Sequence, residues 1–323
     1  MSEPIIATEH LTRRFSRRDP DGRLGLRRTT LTAVDDLSIR IHPGEAVGYI
    51  GANGAGKSTT IKMLVGILVP TSGTVRTCGR DPLRERRQLA REVGVVFGQR
   101  SQLWWDLPLR ESFTILGAIH EQGRAALTDR TDELVTTLGL GDFLTTPVRA
   151  LSLGQRMRGE VAAALLHRPR LVILDEPTIG LDVLSKQQLR EFLTAERGTH
   201  GTTLLLTTHD MGDIERLCDR VLVVDHGHLA YAGTLDDLAR TSGAKRILVV
   251  DLAESASPLT GIPHTEHLSS QGNGVRQQLA FDPDRTSAAK VLAAVSERAE
   301  VLDLSIEEPD IEDVVRRIYH SRM

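Results

Sequence analysis

Between the apolar run Ala46-Val47-Gly48-Tyr49-Ile50 and a stretch with apolar residues at Ile61, Leu64, Val65 and Leu68 lies the octapeptide Gly51-Ala52-Asn53-Gly54-Ala55-Gly56-Lys57-Ser58. The i, i+3, i+4, i+7 spacing after it predicts a helix with one buried face, and the run before it predicts a buried strand. A strand, a Gly-x-x-x-x-Gly-Lys-Ser loop and a helix in that order make a phosphate-binding P-loop. The glycines reach backbone conformations closed to other residues. Backbone N–H groups along Gly51, Asn53, Gly54, Ala55, Gly56, Lys57, Ser58 and Thr59 then face a phosphate, and the helix start adds partial positive charge at the same place. Lys57 is expected to reach the β- and γ-phosphates, and the Ser58 hydroxyl to bind Mg²⁺.

The pattern around the loop predicts its setting. Apolar strands at 93–97, 171–174 and 203–207 alternate with helical stretches, which calls for a mostly parallel sheet covered on both faces. Residues 4–50 read as strands and turns. They are interrupted by a basic stretch, Arg13, Arg14, Arg17, Arg18, Arg23, Arg27 and Arg28, with turn chemistry at Asp19-Pro20-Asp21-Gly22. Residues 16–31 are therefore expected to form an exposed loop or hairpin, either simply solvated or placed to meet anionic headgroups or a partner. Residues 106–168 read as mostly helical. Beyond Thr241-Ser242-Gly243, which reads as a linker, a small α+β domain is expected. Its strands are placed at 245–252, 274–282 and 300–306 and its helices at 285–299 and 310–320, the last capped by Asp310.

With 323 residues the chain has room for about two domains. The formal net charge of −3 argues against a nucleic-acid-coating role. Cys78 and Cys218 make no disulfide framework and have no metal spacing, which fits a reducing compartment. No signal-peptide core and no apolar run of membrane-spanning length is expected.

A P-loop needs an acidic partner, and Asp175-Glu176 follows the apolar run Leu171-Val172-Ile173-Leu174. In open α/β sheets a carboxylate at such a strand end lies beside the phosphate site. Asp175 is expected to hold Mg²⁺, and Glu176 to orient and polarise the attacking water as general base.

About twenty residues before this pair stands Leu151-Ser152-Leu153-Gly154-Gln155-Arg156. Here the chain resembles the ATP-binding-cassette (ABC) ATPases, whose signature reads Leu-Ser-Gly-Gly-Gln. Leu151, Ser152, Gly154 and Gln155 match, and Leu153 replaces the first glycine. Other positions match the same pattern. Gln99 resembles the Q-loop glutamine, a ligand of Mg²⁺ and the water, with Glu111 as the acid that often follows. Ile179-Gly180-Leu181-Asp182 resembles the D-loop, with Asp182 its acid. His209, in Thr207-Thr208-His209-Asp210, resembles the switch histidine, and Phe15 the aromatic residue that stacks on adenine.

The resemblance covers about residues 4–235 and implies a P-loop NTPase (ABC) fold. That fold has a mostly parallel sheet, N-terminal antiparallel strands and a helical subdomain at about 100–168. The domains expected are 1–240, a nucleotide-binding domain, and 241–323, an accessory or regulatory α+β domain. It also implies ATP hydrolysis by a head-to-tail dimer, homomeric or formed with a homologue. In it Ser152, Gly154 and Gln155 of one subunit complete the site built by Lys57, Asp175, Glu176, Gln99 and His209 of the other. Such ATPases usually serve separate integral membrane permeases, which would hold this chain on the cytoplasmic face of the membrane. Trp104-Trp105 lies where a permease docks, in a chain with only 3% aromatic residues. The Leu-Ser-Leu-Gly-Gln-Arg signature, the Phe97-Gly98-Gln99-Arg100 loop and the C-terminal domain look most like the ATPases of type 2 exporters. The alternative is a non-transport ABC ATPase, a regulatory switch or one acting on DNA or ribosomes. Long coiled-coil insertions or a second cassette would mark the DNA and ribosome classes, and the sequence has neither.

Overall fold

The strand that feeds the P-loop, β4 (Ala46–Gly51), is buried along its whole length. Its burial follows from its place near the middle of a six-stranded sheet. The computed structural model describes residues 3–18, 28–98, 100–208, 210–235, 237–238 and 245–307. The chain divides into two compact units, Met1–Gly233 and Thr234–Met323.

The first unit opens with β1 (Ile6–Arg18), β2 (Arg28–Leu37), β3 (Arg40–Ile41), β4, α1 (Lys57–Leu64) and β5 (Ser72–Thr77). Next come α2 (Arg86–Ala90), β6 (Val93–Val96), α3 (Leu109–Ile119), α4 (Arg124–Thr137) and α5 (Leu153–Leu165). It closes with β7 (Leu171–Asp175), α6 (Val183–His200), β8 (Thr203–Thr207), α7 (Met211–Leu217), β9 (Arg220–Asp225) and β10 (His228–Gly233). The large sheet runs β10-β9-β4-β8-β7-β6. Every pair is parallel except the edge hairpin β9–β10. Strands buried on both faces need apolar residues throughout, which explains Leu-Val-Ile-Leu in β7 and Leu-Leu-Leu in β8. A smaller antiparallel sheet, β2-β1-β3 with β5 on β1, packs its Ile6, Leu11, Val34, Leu37 and Ile41 into a core shared with Val47, Tyr49, Ile61 and Leu64.

The basic stretch is a hairpin rather than a loop along the part described. β1 and β2 stay in antiparallel register from Phe15↔Leu31 out to Arg18↔Arg28. Cross-strand Thr and Ser residues suit an exposed ladder. The expected turn at Asp19-Pro20-Asp21-Gly22, with Arg23 and Arg27, lies outside the described residues.

The second unit holds an antiparallel sheet, β12 (Thr265–Gln271), β13 (Arg276–Phe281), β11 (Arg246–Leu252) and β14 (Val301–Glu307), in that order across the sheet. Helix α8 (Ala288–Ser296) is capped by Ser287 and packs Val291 and Val295 on Leu248, Val250, Leu279 and Phe281. Two expectations need correction. β12 occupies a segment read as loose, because its Glu, His, Ser and Gln residues carry no apolar alternation. The helix is shorter than 285–299, because the Ser287 side chain accepts the Lys290 amide and starts it there. The expected helix 310–320 and its cap Asp310 lie outside the described residues, as does the linker 241–243.

The helical subdomain is tied to the sheet by a buried charge. Arg130 of α4 donates to Glu196 of α6 at 2.6 Å, and both side chains are 2% exposed. The guanidinium also donates to the carbonyl of Leu165, at the end of α5. Removing one partner of such a pair leaves an uncompensated charge in the interior. Arg130→Met is expected to cost roughly 3–5 kcal/mol in urea unfolding. A change below about 1 kcal/mol, the range of exposed pairs, would show that the pair is not a structural tie.

Candidate functional site

Four adjacent parallel strands, β4, β8, β7 and β6, end at one edge of the large sheet. Their register sets the neighbours: Gly48 lies beside Leu206, Asp175 beside Thr207, and Val96 beside Leu174. The P-loop leaves β4, Asp175 and Glu176 end β7, and Phe97-Gly98 follows β6. Sequence segments far apart are thereby set in a row, at the edge where open α/β sheets bind ligands.

The P-loop is braced from behind. Gly56 has φ +100°, and a Cβ there would stand 2.3 Å from the carbonyl oxygen of Ala33 in β2, so only glycine fits. The Gly227 amide donates to Ala55 O at 3.2 Å, and the Asp35 amide to Gly227 O at 2.9 Å. The β2 strand and the β9–β10 turn thus hold the loop between them.

The Lys57 amine donates to the carbonyl oxygens of Gly51 and, at 3.1 Å, Ala52. Partial burial lowers its pKa, while the charges of Glu176 and Asp175 raise it. Asp175 accepts a hydrogen bond from the Thr207 hydroxyl of β8. Glu176 sits at φ +56°, a left-handed conformation uncommon for a residue with a side chain. Its amide donates to Thr207 O at 2.9 Å. Strain of this kind persists only where the surroundings over-determine the backbone, and it clusters at functional sites. A Cβ on Gly98 would lie 3.2 Å from Asp175 O and 3.7 Å from the Glu176 Cβ, so the segment leading to residue 99 abuts the acidic pair. Gln99 and His209 themselves lie outside the described residues.

The signature segment starts α5 with a complete capping box. Ser152 Oγ accepts the Gln155 amide at 3.2 Å, and Gln155 Oε1 accepts the Ser152 amide at 2.9 Å. The spacing Ser-x-x-Gln carries this signal in the sequence. Leu153 is 44% exposed and lies against Gly180, while Gly154 faces the Gly180 carbonyl and the Leu181 side chain. The signature and the Ile179–Asp182 loop therefore share one surface, where Ile179, Val183 and Leu184 are also exposed. Asp182 caps α6: its two oxygens accept the Ser185 amide at 2.9 Å and the Ser185 hydroxyl at 2.8 Å. These bonds hold its carboxyl below the usual carboxylate range.

Trp105 is 52% exposed, and Trp104 is half-buried. The Arg156 guanidinium lies 5.9 Å from the Trp105 ring centre, and the Arg149 amide donates to Trp105 O at 2.9 Å. Nearby, Glu160 of α5 accepts from the Ser101 hydroxyl and the Gln102 amide, and burial pushes its carboxyl up. The segment after residue 99 is thereby fastened to the signature helix. Sequence reasoning missed Glu160 and Thr207. An acid four residues from Arg156, on a helix otherwise apolar at Met157, Val161, Ala164 and Leu165, is the signal for the first. A threonine ending a buried strand is only a weak signal for the second. Phe15 is half-buried on β1, with the Arg13 guanidinium 4.6 Å from its ring centre.

Comparison with known proteins adds the family. A family model described as "ABC transporter" matches residues 34–179. The chain is 35% identical over 256 residues to the daunorubicin/doxorubicin resistance ATP-binding protein DrrA of Streptomyces peucetius, covering 79% of this chain and 76% of that one. It is 35% identical over 237 residues to the Nod factor export ATP-binding protein I of Ralstonia nicotianae, covering 73% of this chain and 69% of that one. A solved ATP-binding subunit of an ABC transporter superposes with a TM-score of 0.63 at 27% identity, over 74% of this chain and 93% of the other.

Replacing Lys57 removes the amine that lies along the loop against Gly51 and Ala52. By the measure of a single charge-stabilising donor, Lys57→Ala is expected to lose about 2–4 kcal/mol of transition-state stabilisation in ATP hydrolysis, read as kcat/KM. Turnover close to that of the unaltered chain would remove this loop from the site.

Proposed function

The chain belongs to the ABC transporter ATP-binding proteins, an ATPase family, and from that premise we propose that it powers an exporter: it binds and hydrolyses ATP, and the closing and opening of its dimer drives a separate membrane permease. The observation that carries the reading is that Lys57, at the start of the helix after β4, and Asp175 and Glu176, at the end of β7, stand at one edge of the parallel sheet with β8 between their strands.

The roles follow from chemistry. Backbone N–H groups from Asn53 to Thr59 receive the phosphates, and Lys57 leaves its carbonyl partners for the β- and γ-oxygens. Ser58 and Asp175, with Gln99, would hold Mg²⁺; a hydroxyl and a carboxylate are the hard oxygen donors that ion requires. The ion supplies charge neutralisation for the phosphates. Thr207 keeps the Asp175 carboxylate in place by donating to it. Glu176 takes the proton of the attacking water, and His209 would contact the γ-phosphate.

The dimer reading is supported by the surface shared by the signature and the 179–182 loop. Val183 is 82% exposed and Leu184 75% exposed, beside Leu153 and Ile179. Large apolar residues grouped in this way favour burial against a partner. Ser152 and Gly154 would meet the nucleotide of a second copy or a homologue. The Ser152 cap uses the oxygen as acceptor and leaves the hydroxyl proton to donate. The export reading is supported by relatives whose names state drug resistance and Nod factor export. Among the described residues no helix is long and apolar enough to cross a membrane, so the transport path would belong to a permease partner at the cytoplasmic face. Trp105, exposed and stacked against Arg156 in the first turn of α5, is our candidate for the permease contact, because amphipathic rings anchor such interfaces. The unit from Thr234 onward would brace or regulate the dimer.

Two experiments test this function. Glu176→Gln is expected to bind Mg-ATP, to lose about 10²–10⁴-fold in turnover, and to accumulate as a dimer on size exclusion. A variant that stays monomeric at saturating Mg-ATP contradicts the dimer. Trp105→Ala is expected to weaken co-purification with the permease by about 1–3 kcal/mol while sparing basal hydrolysis. Full retention of both co-purification and transport-coupled hydrolysis would move the contact elsewhere.

A further inference from the structure

Asp213 of α7 is fully buried, and a buried carboxylate needs partners to stay charged. It has them from two directions. Thr178, two residues after Glu176, donates its hydroxyl to Asp213 Oδ2 at 2.6 Å. Arg190 of α6 donates from Nε to Oδ1 at 2.7 Å, with a second guanidinium nitrogen 2.5 Å from the same oxygen. Thr208 is buried beside them, its hydroxyl 3.5 Å from Asp213 Oδ2, and that hydroxyl accepts the Asp210 amide at 3.0 Å. The Asp210 carboxylate takes Lys186 of α6 at 2.5 Å and lies 3.7 Å from Arg190. Lys186 holds the Asp210 carboxyl below its ordinary range.

One face of α6 therefore carries Asp182, Lys186 and Arg190 at i, i+4 and i+8. Its first residue caps the helix at the exposed loop. The next two grip Asp210 and Asp213, just after position 209, and, through Asp213, the loop that follows Glu176. The backbone of Glu176 is in a left-handed conformation and depends on its surroundings to stay there.

We propose that Asp213, clamped by Arg190, is a positioning residue for hydrolysis: it locks the Glu176–Thr178 loop to the Thr207–Asp210 segment through α6, so that the general base and the switch segment move as one body with the loop a second copy would touch. The inference rests on the reading of Glu176 as general base. A misplacement of about 1 Å at the reacting centre can cost roughly a hundredfold in rate, so a clamp of this kind affects turnover before it affects nucleotide affinity.

The test uses the full chain. Thr178→Val removes one hydroxyl and keeps the side-chain shape. Asp213→Asn keeps hydrogen-bonding groups without the charge, and Arg190→Met removes the cation. In folded protein, shown by unchanged circular dichroism at the assay temperature, Asp213→Asn and Arg190→Met are expected to lose about tenfold to a hundredfold in kcat, with KM for Mg-ATP within about threefold. Thr178→Val is expected to lose several-fold, and combining it with Asp213→Asn should add nothing, because both break one link. The inference is overturned if folded Thr178→Val and Asp213→Asn keep kcat within about twofold, if their losses add, or if the loss falls in KM or only tracks the unfolded fraction. Glu176→Gln in the same assay separates the two readings. Its loss of turnover beside intact Thr178→Val and Asp213→Asn sinks the clamp alone. Survival of its turnover sinks the base assignment and the clamp with it.

Discussion

The parallel pairing of β8 between β4 and β7 is the constraint on which the site depends. It sets the end of the P-loop strand two strands from the acidic pair, with Thr207 between them close enough to bind Asp175 and to accept the Glu176 amide. A slip of one residue in either ladder would turn every side chain to the opposite face. The apolar runs of β7 and β8 suit strands buried on both faces.

Around this row the chain builds two kinds of brace. Backbone contacts hold the P-loop, where Gly56 meets Ala33 and Ala55 meets Gly227 with no room for side chains. Buried charges hold the helices. Arg130 joins the helical subdomain to α6 through Glu196, and Arg190 joins α6 to α7 through Asp213. Helix α6 is thus the common member, linked to the subdomain that bears the signature and to the loops that bear the acids. Charges so deep are costly unless paired, which makes them poor sources of net stability but strict selectors of geometry. A machine that must transmit the loss of one phosphate across tens of ångströms needs bodies that move without deforming.

Much of the site is legible in the amino-acid sequence. The P-loop, the acidic pair and the signature each depend on a short run of residue types, because backbone N–H groups, a helix start or a strand end do the chemistry locally. Ser152 and Gln155 announce their own capping box. The hairpin at 16–31 is less legible: arginines and threonines do not show that the strands continue through Arg18 and Arg28. β12 escapes because an exposed edge strand of Glu, His, Ser and Gln needs no apolar alternation. Glu160 and Asp213 escape because a buried acid looks like any surface acid until its partner is known.

Residue types and their spacing are thus enough for the ligand chemistry and the motif order, since those rest on local backbone geometry and on the apolar period of each element. Folding in three dimensions settles the rest: which strand stands beside which, that Leu153 lies against Gly180, that Trp105 is the exposed member of its pair, and that α6 bonds Asp210 and Asp213. These pairings join residues as far apart in the sequence as Gly48 and Val221. Most join separate elements, and no local period encodes them; they form only when burial of the apolar strands brings their partners together.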